Sequence, residues 1–386
     1  MNNCIGIINL DENEQRTTEL TRRRPLASLP IAGRYRVVDF VLSNMTNSGI
    51  EAIGIFTKNK SRSLMDHLTN GRPWDIHRKK DGLKVFNFGD IDPVHDDVHN
   101  FLENIDYFDH SKKEYTLICS SYMICNINYN ELIKYHIAQG NDVTTVYKNV
   151  KHVEDNFIDC QVLNLDDNGR ITGVGENVGL KNSANINMEM YIMKTDLFID
   201  MIYECIRGGR YKKIKNYING NIDKLKVGGY EFKGYLACIN STKEYFDFNM
   251  DLLKKEVRED LFNPERSIYT KTKDTPPSLF REGAEVNNSL VANGCILSGT
   301  VRNSILARGA VVEAGAIVED CILLQDSVVK SGAVLKNIIV DKNNVIKSNE
   351  KLSASRNYPL VIEKSIKWDD KHYKNLLAYL EGANKE

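Results

Sequence analysis

From Ser278 to about Leu352 the chain carries aliphatic residues at a spacing of six: Ile305, Val311, Ile317, Leu323, Val329 and Leu335. Gly-Ala-Val at 309–311 and Gly-Ala-Ile at 315–317 repeat at that interval, and Gly-Ala-Val returns at 332–334. An amphipathic helix repeats at about 3.6 residues and a half-buried strand at about 2, so neither explains the pattern. A parallel β-helix does. Each hexapeptide then forms one flat side of a triangular coil and turns its aliphatic residue inward. This phase predicts that all six named side chains, Ile317 included, line the coil interior. Asn303, Asp320, Asp326, Asn337 and Asp341 suit the corners.

The first two thirds follow a different rule. Ile5–Ile8, Ala52–Phe56, Tyr115–Cys119 and Asp142–Tyr147 read as short buried strands, rich in β-branched and aromatic residues. Between them Val37–Asn44, Ser61–Leu68 and Asn130–Gln139 read as helices, with Ser61 and Asn130 as candidate caps. This alternation implies a mostly parallel α/β sheet with helices on both faces. Cys160–Leu165 and Ile171–Val174, joined by Asp-Asp-Asn-Gly, predict a hairpin. Helices are expected over Asp196–Arg207 and Lys243–Glu259. The reading gives an α/β domain over residues 1–262, a linker over 263–277 with three prolines, and a coil domain with its tail over 278–386.

Composition narrows the partners. The 386 residues are enough for two domains, and 42% hydrophobic content supports a core in each. A formal net charge of −1 gives the chain no bias toward nucleic acid or an anionic membrane. No apolar run approaches the roughly 18 residues of a spanning helix, and the N-terminus has no signal-peptide pattern. Eight cysteines lie scattered without a C-x-x-C pair, which reads as reduced, buried thiols and a cytoplasmic location.

The turn after the first strand raises the functional question. Phosphate-binding folds place glycines there so that backbone N–H groups can approach the anion. Here the turn reads Asn9-Leu10-Asp11-Glu12-Asn13-Glu14, with three carboxylates and no glycine.

The stretch GRYRVVDFVLSNMTNSGIEAIGIFTKNKSRSLMDHL at 33–68 resembles the glucose-1-phosphate adenylyltransferase family, as do GRPWDI at 71–76 and GYLACINSTKEYFDFNMDLL at 234–253. The resemblance implies a Rossmann-like nucleotidyltransferase domain followed by a left-handed parallel β-helix. It also implies the family reaction, in which ATP and glucose 1-phosphate give ADP-glucose and pyrophosphate with magnesium in the site, and assembly as tetramers.

The departures from the family pattern carry as much weight. The family's glycine-rich phosphate turn is replaced by Asn9–Arg16, and carboxylates there would repel an anionic transition state. The resemblance puts the family's active-site lysine at Leu26, with Arg24 two residues upstream as a conceivable substitute. It puts the two metal carboxylates at Tyr122 and Cys238, and the sugar-phosphate lysine at Asn177, where only the neighbouring Glu176 is retained. Magnesium favours hard oxygen ligands, so its ligands are missing from these places. The pattern resembles the divergent, catalytically degenerate subunits of the family, which implies a catalytic adenylyltransferase subunit as partner, in a heterotetramer or homo-oligomer.

Several residues carry two readings. Arg22, Arg23 and Arg24 are candidates for binding a small anionic effector; the alternative is solvated surface. Arg36 and Glu176 are candidates for vestigial substrate contacts. Trp74 reads mainly as packing, and Cys238 as a small buried hydrophobe. His95 and His99 share a helical spacing but lack a third ligand. Two other classes stay open. One is an active transferase whose metal is held instead by Asp11 or Glu12. The other is a hexapeptide acyltransferase, although residues 278–371 contain no histidine to act as base.

Overall fold

A computed structural model describes residues 3–58, 60–78, 81–87 and 96–364. The α/β domain is built on one nine-stranded sheet. Its strands are β1 (Cys4–Leu10), β2 (Ala52–Thr57), β3 (Gly82–Asn87), β4 (Tyr115–Cys119), β5 (Val143–Lys151), β6 (Gln161–Leu165), β7 (Ile171–Glu176), β8 (Ser183–Lys194) and β9 (Val227–Glu231). The order is β7-β6-β8-β4-β1-β2-β3, with β5 beside β8 and β9 beside β5. The half containing β4, β1, β2 and β3 is parallel throughout. The long strand β8 runs antiparallel to both β4 and β5.

Alternation along β1 shows how the sheet is buried on both faces. Cys4 and Ile8 join the core that includes Phe40, Tyr129 and Phe246, whereas Ile5 and Ile7 join the one with Phe101, Phe108 and Phe198. Gly6 lies under the helix Val37–Asn47, where a Cβ would meet the sulfur of Met45 at 2.8 Å, so a larger residue would have to displace that side chain.

Most expected elements are present within a few residues, with local differences. The helix Tyr129–Gln139 is capped by Asn128, whose side chain accepts the Asn130 N–H. Ser61 begins its helix without capping it: its backbone is already helical, at φ −66° and ψ −16°, and its hydroxyl accepts from Asn87. The single helix expected over Lys243–Glu259 is two, Thr242–Asp251 and Lys255–Leu261.

The C-terminal domain is the expected β-helix, with three five-stranded parallel sheets. Ile305 pairs with Ile322, Val311 with Val328 and Ile317 with Val334, each 17 residues on, so these coils take two six-residue steps and one of five. That shorter step overturns the phase read from the sequence. The interior is lined by Val301, Leu306, Val312, Val318, Leu323, Val329 and Leu335. Ile317 faces solvent at 38% exposure, and Val311 is half-buried on the outside. Ile305, Ile322 and Ile339 face outward too, but they are buried in the core of the α/β domain. One flat side of the coil is therefore docked on that domain.

Candidate functional site

The parallel strands β1 and β4 end side by side, the place where open α/β sheets bind ligands. A cleft of about 140 Å³ lies there, lined by the turn after β1, by Tyr122 and by residues of later segments. The carboxylates of the turn are engaged. Asp11 accepts a hydrogen bond from Lys58 and forms an ion pair with Lys213 at 2.5 Å. Glu12 accepts the Ser121 backbone N–H at 2.8 Å and the Ser121 hydroxyl at 2.7 Å. Glu14 accepts the Leu26 N–H at 2.6 Å. Two more pairs complete the wall: Lys215 with Glu189 at 2.7 Å and Arg16 with Asp159 at 3.1 Å.

The electrostatics follow from these contacts. Burial alone would raise Asp11, but Lys213 and Lys58 hold its carboxyl below the ordinary value. Glu12 has only neutral donors, so burial pushes it up to about 7 against the pull of Ser121. Asp97 hydrogen-bonds Asn9 and the Ile214 N–H, and burial followed by Asp11 raises it to about 7. Burial works against the Lys215 ammonium, yet Glu189 keeps it above its usual value. Glu189 reaches the cleft from a left-handed backbone position, φ 52°, within an irregular stretch of β8.

The residues that the resemblance assigns to catalytic positions divide between cleft and scaffold. Leu26 and Tyr122 line the cleft and are buried. Cys238 is buried with its sulfur 3.5 Å from that of Cys160. The Asn177 side-chain amide donates to the carbonyls of Val153, Asn156 and Phe157, a structural tie rather than a phosphate contact. Glu176 is exposed at the end of β7. Arg24, the candidate substitute two residues before Leu26, is not free to serve, because it is buried in a 2.6 Å ion pair with Asp341. A phenol, a thiol and carboxylates already bonded to lysines or to Ser121 do not fit a magnesium ion.

A second cavity, of about 170 Å³, lies between the two domains. Its lining brings Arg34, Arg36, Lys271, Lys273, Arg308 and Lys342 together with one carboxylate, Asp66. Arg36 begins the helix Val37–Asn47 and is fixed by bonds from its guanidinium to the Ser63 carbonyl and hydroxyl. The cations suppress one another. Burial, then Arg36 and Arg24, lowers Lys342 to about 7; burial lowers Arg36 to about 10, and also lowers Arg308 and Lys273.

The arginine run sits near this cavity without forming it. Arg22 pairs with Glu363 at 2.7 Å, so Arg22 and Arg24 fasten the α/β domain to the coil. The sequence reading missed Lys58, Lys213, Lys215 and Glu189 in the cleft, and the cations other than Arg36 in the cavity. The run Lys212-Lys213-Ile214-Lys215 and the pair Lys271, Lys273 were the available signals. Trp74 is buried and donates to Ser43, a packing role. His99 bonds Asp96, and His95 lies outside the described residues.

Comparison with known proteins agrees with this architecture. A family model for nucleotidyl transferases matches residues 15–254, beginning after the divergent turn, and one for the GlmU-like C-terminal hexapeptide matches residues 277–357. The chain is 35% identical over 314 residues to a glycogen biosynthesis protein GlgD of Bacillus subtilis, covering 81% of each. A GlgD of Geobacillus stearothermophilus is also 35% identical, over 315 residues and 81% of each chain. A glucose-1-phosphate adenylyltransferase of Clostridioides difficile is 30% identical over 300 residues, 76% of this chain and 77% of the other.

Proposed function

The chain belongs to the nucleotidyl transferase family, on its glucose-1-phosphate adenylyltransferase branch, and from that premise we propose that it is a non-catalytic, regulatory subunit of glycogen biosynthesis. One contrast carries the reading. In the cleft Lys58, Lys213, Lys215 and Arg16 each face a carboxylate of the chain itself, whereas in the interdomain cavity six cations face one carboxylate. In-line attack on a phosphate needs positioned cations that are free to take up developing charge. The field that attracts a small phosphate ester has thus moved from the reaction site to the domain boundary. An anion bound there touches both domains, and can bias an assembly that holds them differently in two states.

The reading extends to partners and place. It includes a catalytic adenylyltransferase subunit joined through the coil, in a hetero- or homo-oligomer. The first rung of the coil supports such a contact: Phe280 is 55% exposed, although its interior counterparts in the next four rungs, Leu297, Val312, Val329 and Ile346, are fully buried. The eight cysteines are free and buried, as suits the reducing cytoplasm. Among the described residues no helix is long and apolar enough to cross a membrane.

The competing reading, an active transferase with a rebuilt metal site, is disfavoured by the engagement of Asp11 and Glu12. The decisive measurement is ADP-glucose formation by the chain alone, then with a catalytic subunit, with and without small phosphate esters. We expect no turnover alone and an altered effector response of the partner. Turnover near an ordinary enzyme's roughly 10 per second by the isolated chain overturns the reading.

A further inference from the structure

Three kinds of donor converge where β1 and β4 end: the Ser121 N–H, the Ser121 hydroxyl, and the ammonium groups of Lys58 and Lys213. Amide, hydroxyl and ammonium donors grouped in this way are the chemistry that holds a polyphosphate. In this chain they hold side chains of the preceding turn instead. Glu12 occupies both Ser121 donors, and Asp11 occupies both lysines. The Ser121 contacts, 2.8 and 2.7 Å, are hydrogen bonds to the Glu12 carboxyl, and Lys213 stands 2.5 Å from Asp11 as an ion pair.

We propose that the Asp11 and Glu12 carboxyl groups take the place of a bound anion, excluding a pyrophosphate-type ligand from a cleft that otherwise retains the donors to bind one. The inference deepens the non-catalytic reading and rests on it. It makes the two carboxylates determinants of what the site refuses, rather than remnants of what it did.

Tethering favours the internal anion. A group fixed in the chain competes at an effective concentration of order millimolar or more, so a free anion must displace it and also face its repulsion. The Ser120 hydroxyl gives an independent sign of an unused site. Ser120 is 6% exposed and lines the cavity adjoining the cleft, and its hydroxyl has no hydrogen-bond partner among the described residues. A buried hydroxyl is seldom left unpaired. The internal carboxylates do not reach it, and a phosphate oxygen in the cleft is the group that would.

The test uses hydrogen exchange in the full-length chain, followed at residues 117–124, which separates this cleft from the cationic cavity between the domains. Inorganic pyrophosphate and ATP are added in parallel to the wild type and to Asp11→Asn/Glu12→Gln. We expect both ligands to leave the wild-type segment unchanged and to slow its exchange at least tenfold in the double variant. Adding Lys213→Met should abolish that gain. Equal slowing by the two ligands assigns it to the phosphate group, and a larger effect of ATP shows that the base contributes as well. If the double variant melts early, Glu12→Gln alone is used, with the same expectation at smaller size. A folded variant that gains no protection, or a wild type already protected by pyrophosphate, overturns the proposal. Because no turnover is measured, failure here is distinct from failure of the non-catalytic reading.

Discussion

Arg24 of the α/β domain and Asp341 of the coil meet in a 2.6 Å ion pair with both side chains almost wholly buried. A buried pair gains little over apolar packing, but removing one partner strands the other's charge out of water. Arg24→Met is therefore expected to destabilise the chain by about 3–5 kcal/mol, and Arg24→Met with Asp341→Leu to recover most of that loss. Thermal melting of the three proteins checks it. A single variant as stable as wild type would show that the pair does not hold the domains together.

The coil permits a sharper test, because neighbouring residues face opposite ways. Val318 is fully buried inside, whereas Ile317 is 38% exposed outside. Val318→Asp places an unpaired charge in the interior and should cost several kcal/mol, on the order of 4. Ile317→Asp should cost under about 1 kcal/mol. Equal losses would return the interior to the strict six-residue phase.

That reversal shows where sequence periodicity stops being informative. The repeat itself was legible, since nothing but a coil explains a six-residue spacing. Its phase was not, because the five-residue step from Val318 to Leu323 shifts the pattern, and a one-residue slip exchanges the two faces. The outward Ile305 and Ile322 looked like interior residues because their burial comes from another domain. In the cleft, Asp11 and Glu12 could be singled out from one turn. Lys58, Lys213 and Glu189 could not, since three distant segments bring them to it. The strand carrying Glu189 was missed altogether, although Asn185–Met190 alternates polar and apolar residues; only the register shift between Asn187 and Tyr191, which aims Glu189 at the cleft, has no mark in that pattern. The cationic cavity was hidden for the same reason: its lining comes from the start of the helix Val37–Asn47, the helix carrying Asp66 and His67, the linker, and three successive turns of the coil at Arg308, Gln325 and Lys342.

The stability contributed by two buried carboxyl groups should fall as the medium becomes more alkaline from about pH 5 to 7. Burial raises Glu244 to about 7, against the Phe157 N–H and Arg16, and burial followed by Asp11 raises Asp97 to about 7. Both folded-state values lie above the ordinary carboxylate range, so the folded chain holds protons that the unfolded chain has lost. The stabilisation is complete below the ordinary value and gone above about 7, at a slope of at most roughly 1.4 kcal/mol per pH unit per group. Melting temperatures at pH 5 and 8 measure the fall, and Glu244→Gln should reduce it. A variant with the wild-type slope would remove Glu244 from the account.

Anion binding between the domains should have its own pH dependence. Lys342 lies in the cavity, and burial with Arg36 and Arg24 lowers it to about 7. A phosphate ester there favours the charged lysine, so binding takes up a proton once the free protein has lost it. Affinity is expected to weaken as pH rises from 7 to 9, by up to about tenfold per unit. Lys342→Met should bind more weakly at pH 6.5 and lose most of the slope. Calorimetry with a sugar phosphate measures both, and an unchanged slope in the variant would clear Lys342 of the role.

Restoring the metal carboxylates should not restore the reaction. Tyr122→Asp and Cys238→Asp together put oxygen ligands where the family resemblance expects them, yet each enters a site that is unready for charge. Tyr122 and Cys238 are both buried, and each lies close enough to Glu189 to feel its charge, so a new carboxylate meets desolvation and like-charge repulsion at once. Lys213 and Lys58 also remain bonded to Asp11, and the turn still lacks the glycines that would let backbone N–H groups reach a phosphate. The expected turnover of the double variant is below about 1% of an ordinary enzyme's roughly 10 per second, at saturating magnesium. Adding Asp11→Asn and Glu12→Gln should restore anion binding before it restores turnover, because binding needs only the freed donors whereas transfer also needs the metal held in line. Full activity from the two carboxylates alone would mean that the turn after the first strand is no barrier to catalysis.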